Sequence, residues 1–399
     1  MENKQILICP DSFKGTLTAE EVADTIEKAI KDVSPAANTR VLPIADGGEG
    51  TLECFRRALT GRLISVRTRN SNFRPCTAEY LLSPVCAIVE SAKAIGLAST
   101  EFKNPAKTTS YGVGVIIDDA LMRTKDIVLA LGGSSTNDGG AGIAAALGVK
   151  FFDKSGETFI PTGGTLKNIE KIDVKNARNF NLTCMCDVDN PLCGETGASY
   201  VFAPQKGADY MMVKDLDDGL KHYASVIKRD VGVDVENLKG GGAAGGIAAG
   251  MVAFFNAKLT SGIDVMLDGT GFDSLLKDAA FVVTGEGKLD NQTLDGKAIS
   301  GLTRHAKKFG VPVIAICGQI AMGFDLEKSG LALATATSPE NTPLLPSRNY
   351  KQELYDAAVK LFKNLLEKKS YDSFMKQTKN ACKNAGIFSF LGGLEIMLS

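Results

Sequence analysis

Only two histidines, His222 and His305, occur in this chain of 399 residues. That scarcity leaves little room for serine–histidine chemistry. Neither histidine stands in a motif-like setting, and both read as surface residues. Long apolar runs are missing too, so no segment is long enough to cross a bilayer. The formal net charge is −1 at pH 7, which gives no electrostatic reason to expect nucleic acid or an anionic membrane as a partner. The nine cysteines are odd in number and irregularly spaced, the usage of reduced cytosolic thiols rather than a disulfide framework. Cys184, Cys186 and Cys193 cluster, but a structural zinc site wants four ligands and the histidines lie far off in sequence, so a metal–thiolate centre is not expected. The opening Met1-Glu2-Asn3-Lys4-Gln5 lacks the basic-then-apolar order of a signal peptide. A cytoplasmic protein is the expectation.

What is present is ordinary globular composition, 44% hydrophobic and 23% charged, over a length that favours two domains. The first part alternates strand and helix. Ile6-Leu7-Ile8-Cys9 is an apolar strand run, Thr18-x-x-Glu21 is a capping box, and Val22, Ile26, Ile30 and Val33 fall on one helical face. A second strand, Val41-Leu42-Pro43-Ile44, leads to Asp46, and a helix runs over residues 49–59. From about Arg62 to Leu97 short alternating segments predict antiparallel strands and a new domain. A helix over residues 112–122, the strand Ile127-Val128-Leu129-Ala130-Leu131 and a small-residue helix over residues 140–147 follow. The α/β rhythm returns with strands at Phe281-Val282-Val283-Thr284, residues 311–317 and 331–335, and with a closing helix marked by Leu354, Ala357, Leu361 and Leu365. The expected class is therefore α/β with two domains. One parallel-sheet domain is built from both chain ends, residues 1–63 and 278–370, and a mixed α/β domain, residues 64–277, is inserted. Residues 371–399 form an unassigned tail.

In α/β folds, ligands bind at the carboxyl ends of the parallel strands. Two early breaks put acids and glycines there, Pro10-Asp11-Ser12-Phe13-Lys14-Gly15 and Asp46-Gly47-Gly48-Glu49-Gly50. Gly132-Gly133-Ser134-Ser135-Thr136-Asn137-Asp138-Gly139-Gly140 joins a buried strand to a helix, the setting in which backbone amides and a helix dipole hold a phosphate. A plain β–α turn is the alternative, but five polar residues between two glycine pairs exceed what a turn requires. Cys186-Asp187-Val188-Asp189-Asn190-Pro191 sets two carboxylates two residues apart, so extended backbone would point them the same way. They suit a base for a hydroxyl nucleophile and a ligand for Mg²⁺, or else an Asx-turn. Thr284-Gly285-Glu286-Gly287-Lys288-Leu289-Asp290 repeats the mixture, while Lys206 and Thr109 sit in weaker loops that solvent could equally occupy.

Two nucleotide motifs fail. Gly296-Lys297 has Asn291 where a P-loop needs glycine, and Ala298 replaces its Ser/Thr. Gly240-x-Gly242-x-x-Gly245 fits a dinucleotide fingerprint by letter, yet Val235-Glu236-Asn237-Leu238-Lys239 before it is no buried strand, which weakens a dehydrogenase reading.

Taken in order, Asp11–Gly15, Asp46–Gly50, Thr108–Gly112, the loop at 132–140, Cys186–Gly194, Pro204–Gly207, Gly241–Gly246 and Thr284–Gly287 form a series that resembles the bacterial glycerate kinases of glucarate, galactarate and glyoxylate breakdown. The resemblance spans residues 5–368. Ser135 stands where alanine is common, and Ile320-Ala321-Met322 has less glycine than usual. It implies a flavodoxin-like domain plus an inserted one with the site between them, and ATP-dependent phosphorylation of D-glycerate, on the 2-hydroxyl or alternatively the 3-hydroxyl. The competing reading from another class is a non-catalytic two-domain protein that closes on a sugar acid. Chemistry then distributes the roles: Asp187, Lys14 and Asp46 catalytic, with Asp187 the base; Asp11, Ser12, Gly132, Gly133, Ser134, Ser135, Thr136, Asn137, Thr109, Lys206, Gly285 and Lys288 for substrate and phosphate; Asp189, Glu286 and Asp290 for Mg²⁺. The expected partners are ATP, Mg²⁺ and D-glycerate, and a homodimer stays open.

Overall fold

The computed structural model describes residues 4–290, 293 and 298–366. The rejected P-loop position Gly296-Lys297 and the tail from residue 371 lie outside the described residues. The chain divides into two compact units, Met1–Ala45 with Ile263–Ser399, and Asp46–Gly262. The sequence pattern places these crossings at 63/64 and 277/278.

The main sheet of the unit made from both chain ends has five strands in the spatial order Leu333–Ala336, Val313–Cys317, Ala279–Thr284, Gln5–Ile8, Thr39–Val41. Every pairing is parallel. Numbered along the chain this is the order 2-1-3-4-5, the flavodoxin-like doubly wound sheet. The central strand Ala279–Thr284 is buried along its whole length, as expected of a strand covered on both faces. Helix Ala19–Val33 packs Val22, Ile26 and Ile30 into the same core as Leu354 and Phe362 of helix Tyr350–Leu366. Each such fully buried apolar side chain contributes about 1.5–3 kcal/mol. The capping box forms as read: Thr18 Oγ1 accepts from the Glu21 N–H, and Glu21 accepts from the Thr18 N–H at 2.9 Å.

The other unit carries a six-stranded mixed sheet in the order Lys258–Thr260, Asn181–Met185, Asp126–Ala130, Ala87–Glu90, Pro75–Leu82, Arg62–Arg69. The first four are parallel, and the last two add on antiparallel. The antiparallel hairpin that the sequence predicts after Arg62 is thus the edge of a larger sheet. Helix Tyr210–Asp230, absent from the pattern reading, buries Val213, Leu216, Leu220, Tyr223 and Ile227 on one face, and Asp209 caps its start by accepting from the Met212 N–H at 2.8 Å. No helix among the described residues is long and apolar enough to cross a membrane.

The surface reading of the histidines is corrected. His305 is buried at 5% exposure, with Nδ1 2.6 Å from Asp273 and Nε2 3.4 Å from Asp264. It falls on the inward face of helix Ala298–Lys308, beside Leu302 and Ala306. His222 is half-buried, its Nε2 2.7 Å from the Ile169 carbonyl oxygen.

Candidate active site

In the inserted unit the parallel strands end at one edge of the sheet, and four loops meet there through bare backbone. The Gly132 N–H donates to the Gly47 carbonyl at 2.8 Å. A Cβ on Gly132 would stand 2.6 Å from Gly48 Cα, and one on Gly47, at φ +95°, would stand 2.9 Å from Met185 Cβ. Gly262 closes the group: a Cβ there would lie 2.1 Å from the Asp46 carbonyl oxygen and 2.6 Å from Asp187 Oδ2. Asp187 accepts from Ser261 Oγ at 2.8 Å and from the Gly262 N–H at 3.0 and 3.1 Å. The structure therefore brings the Asp46 backbone and the Asp187 carboxylate together at Gly262, although the sequence names these two residues separately.

Glu90, which the sequence reading missed, holds this arrangement from beneath. It ends the buried strand Ala87–Glu90, is 2% exposed, and accepts from the Leu52 N–H at 2.8 Å and the Gly50 N–H at 3.3 Å. It thereby serves the start of helix Thr51–Ala58, whose N-cap Gly50 has no side chain to do so. Burial pushes its carboxyl pKa upward. The signal was an acid closing an otherwise apolar strand.

The loop at 132–140 is more enclosed than an open cradle. Gly133 is exposed, but Ser134, Ser135, Thr136, Asn137 and Asp138 are buried. Ser135 spends both its N–H and its hydroxyl on the Ile95 carbonyl, at 2.9 and 2.8 Å. Lys206 is no solvated loop residue. At 2% exposure, on the short 3₁₀ turn Pro204–Lys206, its ammonium donates to the Thr136 carbonyl at 2.6 Å and to Ser134 Oγ at 3.2 Å. Desolvation lowers its pKa to about 7, against an opposing pull from the Asp138 carboxylate. Asp138 accepts from the Ser110 N–H at 2.6 Å, Ser110 Oγ at 2.8 Å, Thr109 Oγ1 at 3.3 Å, and the N–H groups of Gly140 and Gly142 at 3.2 Å. Burial raises its pKa, and those donors counteract the rise. Thr136 Oγ1 and Asn137 Oδ1 are buried and have no partner among the described residues, although Asn137 Nδ2 reaches Ser199 Oγ at 3.0 Å.

The false dinucleotide fingerprint has a structural purpose. Ala244, Gly245 and Gly246 all adopt left-handed φ, 55°, 69° and 88°. The Gly245 carbonyl accepts from the Gly139 N–H at 3.0 Å, and a Cβ on Gly245 would lie 2.1 Å from the Thr136 oxygen. These glycines let the chain pack against the loop at 136–139, a use unrelated to a pyrophosphate.

Asp187 and Asp189 do not act as a pair. Asp189 is highly exposed and sits 3.2 Å from Lys239, whereas Asp187 turns to Ser261 and Gly262.

The flavodoxin-like unit has its own strand-end cluster at the switch point between Gln5–Ile8 and Ala279–Thr284, where the strand order reverses. The Asp11 N–H donates to the Gly285 carbonyl at 2.9 Å, Thr284 Oγ1 donates to the Cys9 carbonyl at 2.8 Å, and Asp11 Oδ1 accepts from the Ser12 N–H at 2.6 Å. Lys14 is exposed beyond them. Glu286 accepts from Thr293 Oγ1 at 2.5 Å, and the Asp290 N–H donates to that same oxygen at 3.2 Å, so the two acids share one turn. Lys288 reaches Glu340 at 3.8 Å.

Two α/β units, each with acids, glycines and a lysine at parallel-strand ends, define an enzyme that handles small anionic ligands. The glycerate kinase family model matches residues 6–366, and the chain belongs to that family. It is 44% identical over 329 residues to a glycerate kinase of Halalkalibacterium halodurans, covering 80% of this chain and 87% of that one. It is 40% identical over 325 residues to the glycerate 2-kinase of Escherichia coli, covering 79% and 85%. The crystal structure of a candidate glycerate kinase 2 from Salmonella typhimurium superposes with a TM-score of 0.79 at 37% identity, over 91% of this chain and 98% of that one. The chain is a kinase, and the α/β expectation stands.

Proposed function

We propose that the protein transfers the γ-phosphoryl group of ATP to the 2-hydroxyl of D-glycerate, giving 2-phosphoglycerate and ADP. The observation that carries this is the closure of Asp46, Asp187 and Gly262 on one another beside the loop at 132–137, in a chain of this family. The name of the Escherichia coli relative, a glycerate 2-kinase, supports the regiochemistry.

Phosphoryl transfer asks a protein mainly for positioning and for charge stabilisation. Asp187 takes the proton of the attacking hydroxyl as the new oxygen–phosphorus bond forms, and the bridging oxygen leaves with ADP. The two hydrogen bonds at Ser261 and Gly262 hold its carboxylate in one orientation. Gly133, the exposed residue of the loop, faces the transferred phosphate, with Lys206 bracing the buried residues after it. Lys14 and Lys288 supply cations for substrate carboxylate or phosphate, next to Asp11, Ser12 and Gly285.

Among the described residues no three His, Cys, Asp or Glu side chains gather as a metal cage. Mg²⁺ keeps several waters and takes one or two carboxylates together with phosphate oxygens. Asp46, or the Glu286 and Asp290 turn, would hold it, and when bound it neutralises phosphate charge. Asp189, engaged with Lys239, drops out of the metal set. The eight free cysteines among the described residues fit work in a reducing cytoplasm.

The test is ADP release from Mg²⁺-ATP on adding D-glycerate, followed through pyruvate kinase and lactate dehydrogenase. Release that depends on D-glycerate supports the reading. Binding of D-glycerate without ADP release would instead favour the non-catalytic sugar-acid binder.

A further inference from the structure

The inserted unit contains a cavity of about 580 Å³ that no step above uses, within the size range of small-molecule sites. Phe73, Phe159 and Ile160 form apolar wall, Lys107 and Lys150 line it as well, and no acidic side chain does. Both lysines are exposed, and neither is in an ion pair among the described residues. A cavity with aromatic wall and two uncompensated cations selects an anion with a flat apolar body.

Phe73 sharpens this. It sits in the turn between strands Arg62–Arg69 and Pro75–Leu82 with φ +64°, a conformation that bulky residues rarely adopt. The turn enforces it: Asn70 Oδ1 accepts from the N–H groups of Asn72 and Arg74, and the Phe73 N–H donates to the Asn70 carbonyl at 2.9 Å. The ring remains 38% exposed, flanked by the Arg69 guanidinium at 4.8 Å and Tyr111 at 5.3 Å. Glycine or asparagine would fold this turn more easily. A strained, surface-held aromatic ring beside free cations is the pattern of a stacking platform.

One lining residue of the cavity is tied to the candidate phosphate loop by a hydrogen bond. Thr109 lines the cavity, and Thr109 and its neighbour Thr108 bond to that loop through Asp138 at 3.3 Å and the Ser135 carbonyl at 3.1 Å. We infer that this cavity receives the purine nucleoside end of the substrate nucleotide, with Phe73 as the stacking surface and Lys107 and Lys150 drawing in its phosphates. This rests on the kinase reading for the identity of the nucleotide.

ADP titration calorimetry without D-glycerate, set beside the KM for ATP, tests it in three variants. K107E and K150E should each weaken ADP binding roughly tenfold or more, the loss of a charge-assisted contact, and raise the KM for ATP alike while the KM for D-glycerate holds. F73G should weaken ADP by roughly tenfold, one stacked base, yet leave the affinity for inorganic tripolyphosphate unchanged and the melting temperature undiminished, since glycine relieves the turn. Unchanged ADP affinity in K107E and K150E would overturn the inference even if F73G failed to fold. Weakened ADP binding with an unmoved KM for ATP would overturn the assignment to substrate nucleotide. Loss of ADP binding in a protein that never phosphorylates D-glycerate would leave the cavity assignment standing and sink the kinase reading alone.

Discussion

The ammonium of Lys206 lies 2.6 Å from the carbonyl oxygen of Thr136, with almost none of the side chain in water. Its pKa, lowered to about 7 by burial, stands well under the ordinary lysine value of about 10.4. Between those two values the unfolded chain binds the proton that the native chain has released. Native stability therefore rises with pH across that window, by at most about 1.4 kcal/mol per pH unit. K206M lacks this term. Urea denaturation of both proteins from pH 6 to 9 should show the wild type gaining on K206M as pH rises. A constant difference across that range would mean that the buried lysine does not titrate there.

Asp187 is the base in the proposed reaction. D187N preserves shape but removes the proton acceptor, so kcat should fall about 10²–10⁴-fold with little change in KM. Raising Mg²⁺ should not restore it. S261A removes one of the bonds that orient the carboxylate, and a smaller loss in kcat is expected. Near-normal kcat in D187N, or recovery in excess Mg²⁺, would transfer the role to Asp46 or Asp290.

Glu90 supports the loop at 46–50 from the end of a buried strand. E90A leaves the buried Leu52 N–H without an acceptor, and a loss of about 1–3 kcal/mol is expected in chemical denaturation. E90Q keeps an acceptor and should recover most of it. Equal stability of E90A and wild type would show that the cap is idle.

Gly245 has left-handed φ and no room for a Cβ. G245A should destabilise by more than about 2 kcal/mol, and NAD should give no thermal shift in the wild type. A thermal shift with NAD would revive the dinucleotide reading that the missing strand argues against.

Periodicity and punctuation made much of the fold legible. Thr18 and Glu21 announced a helix start that forms as read, and Ile6-Leu7-Ile8-Cys9 gave a central strand. The acids and glycines placed at strand ends do lie there. What stayed hidden depends on contacts distant in sequence. Gly262 carries no motif, yet it is where Asp46 and Asp187 meet. Lys206 looks like a loop cation until 134–136 closes over it. His305 read as surface within a helical pattern, although its own position on that helix is on the buried face. The helix Tyr210–Asp230 was legible in Val213, Leu216, Leu220, Tyr223 and Ile227, but its charged outer face masked the period.

The most direct measurement couples the product to enolase. With Mg²⁺-ATP, D-glycerate and enolase, and with no phosphoglycerate mutase present, phosphoenolpyruvate should accumulate at the rate of ADP release, seen as rising absorbance near 240 nm. ADP release without phosphoenolpyruvate until mutase is added would assign the phosphate to the 3-hydroxyl and contradict the proposed regiochemistry. No D-glycerate-dependent ADP release at all would contradict the proposed reaction itself.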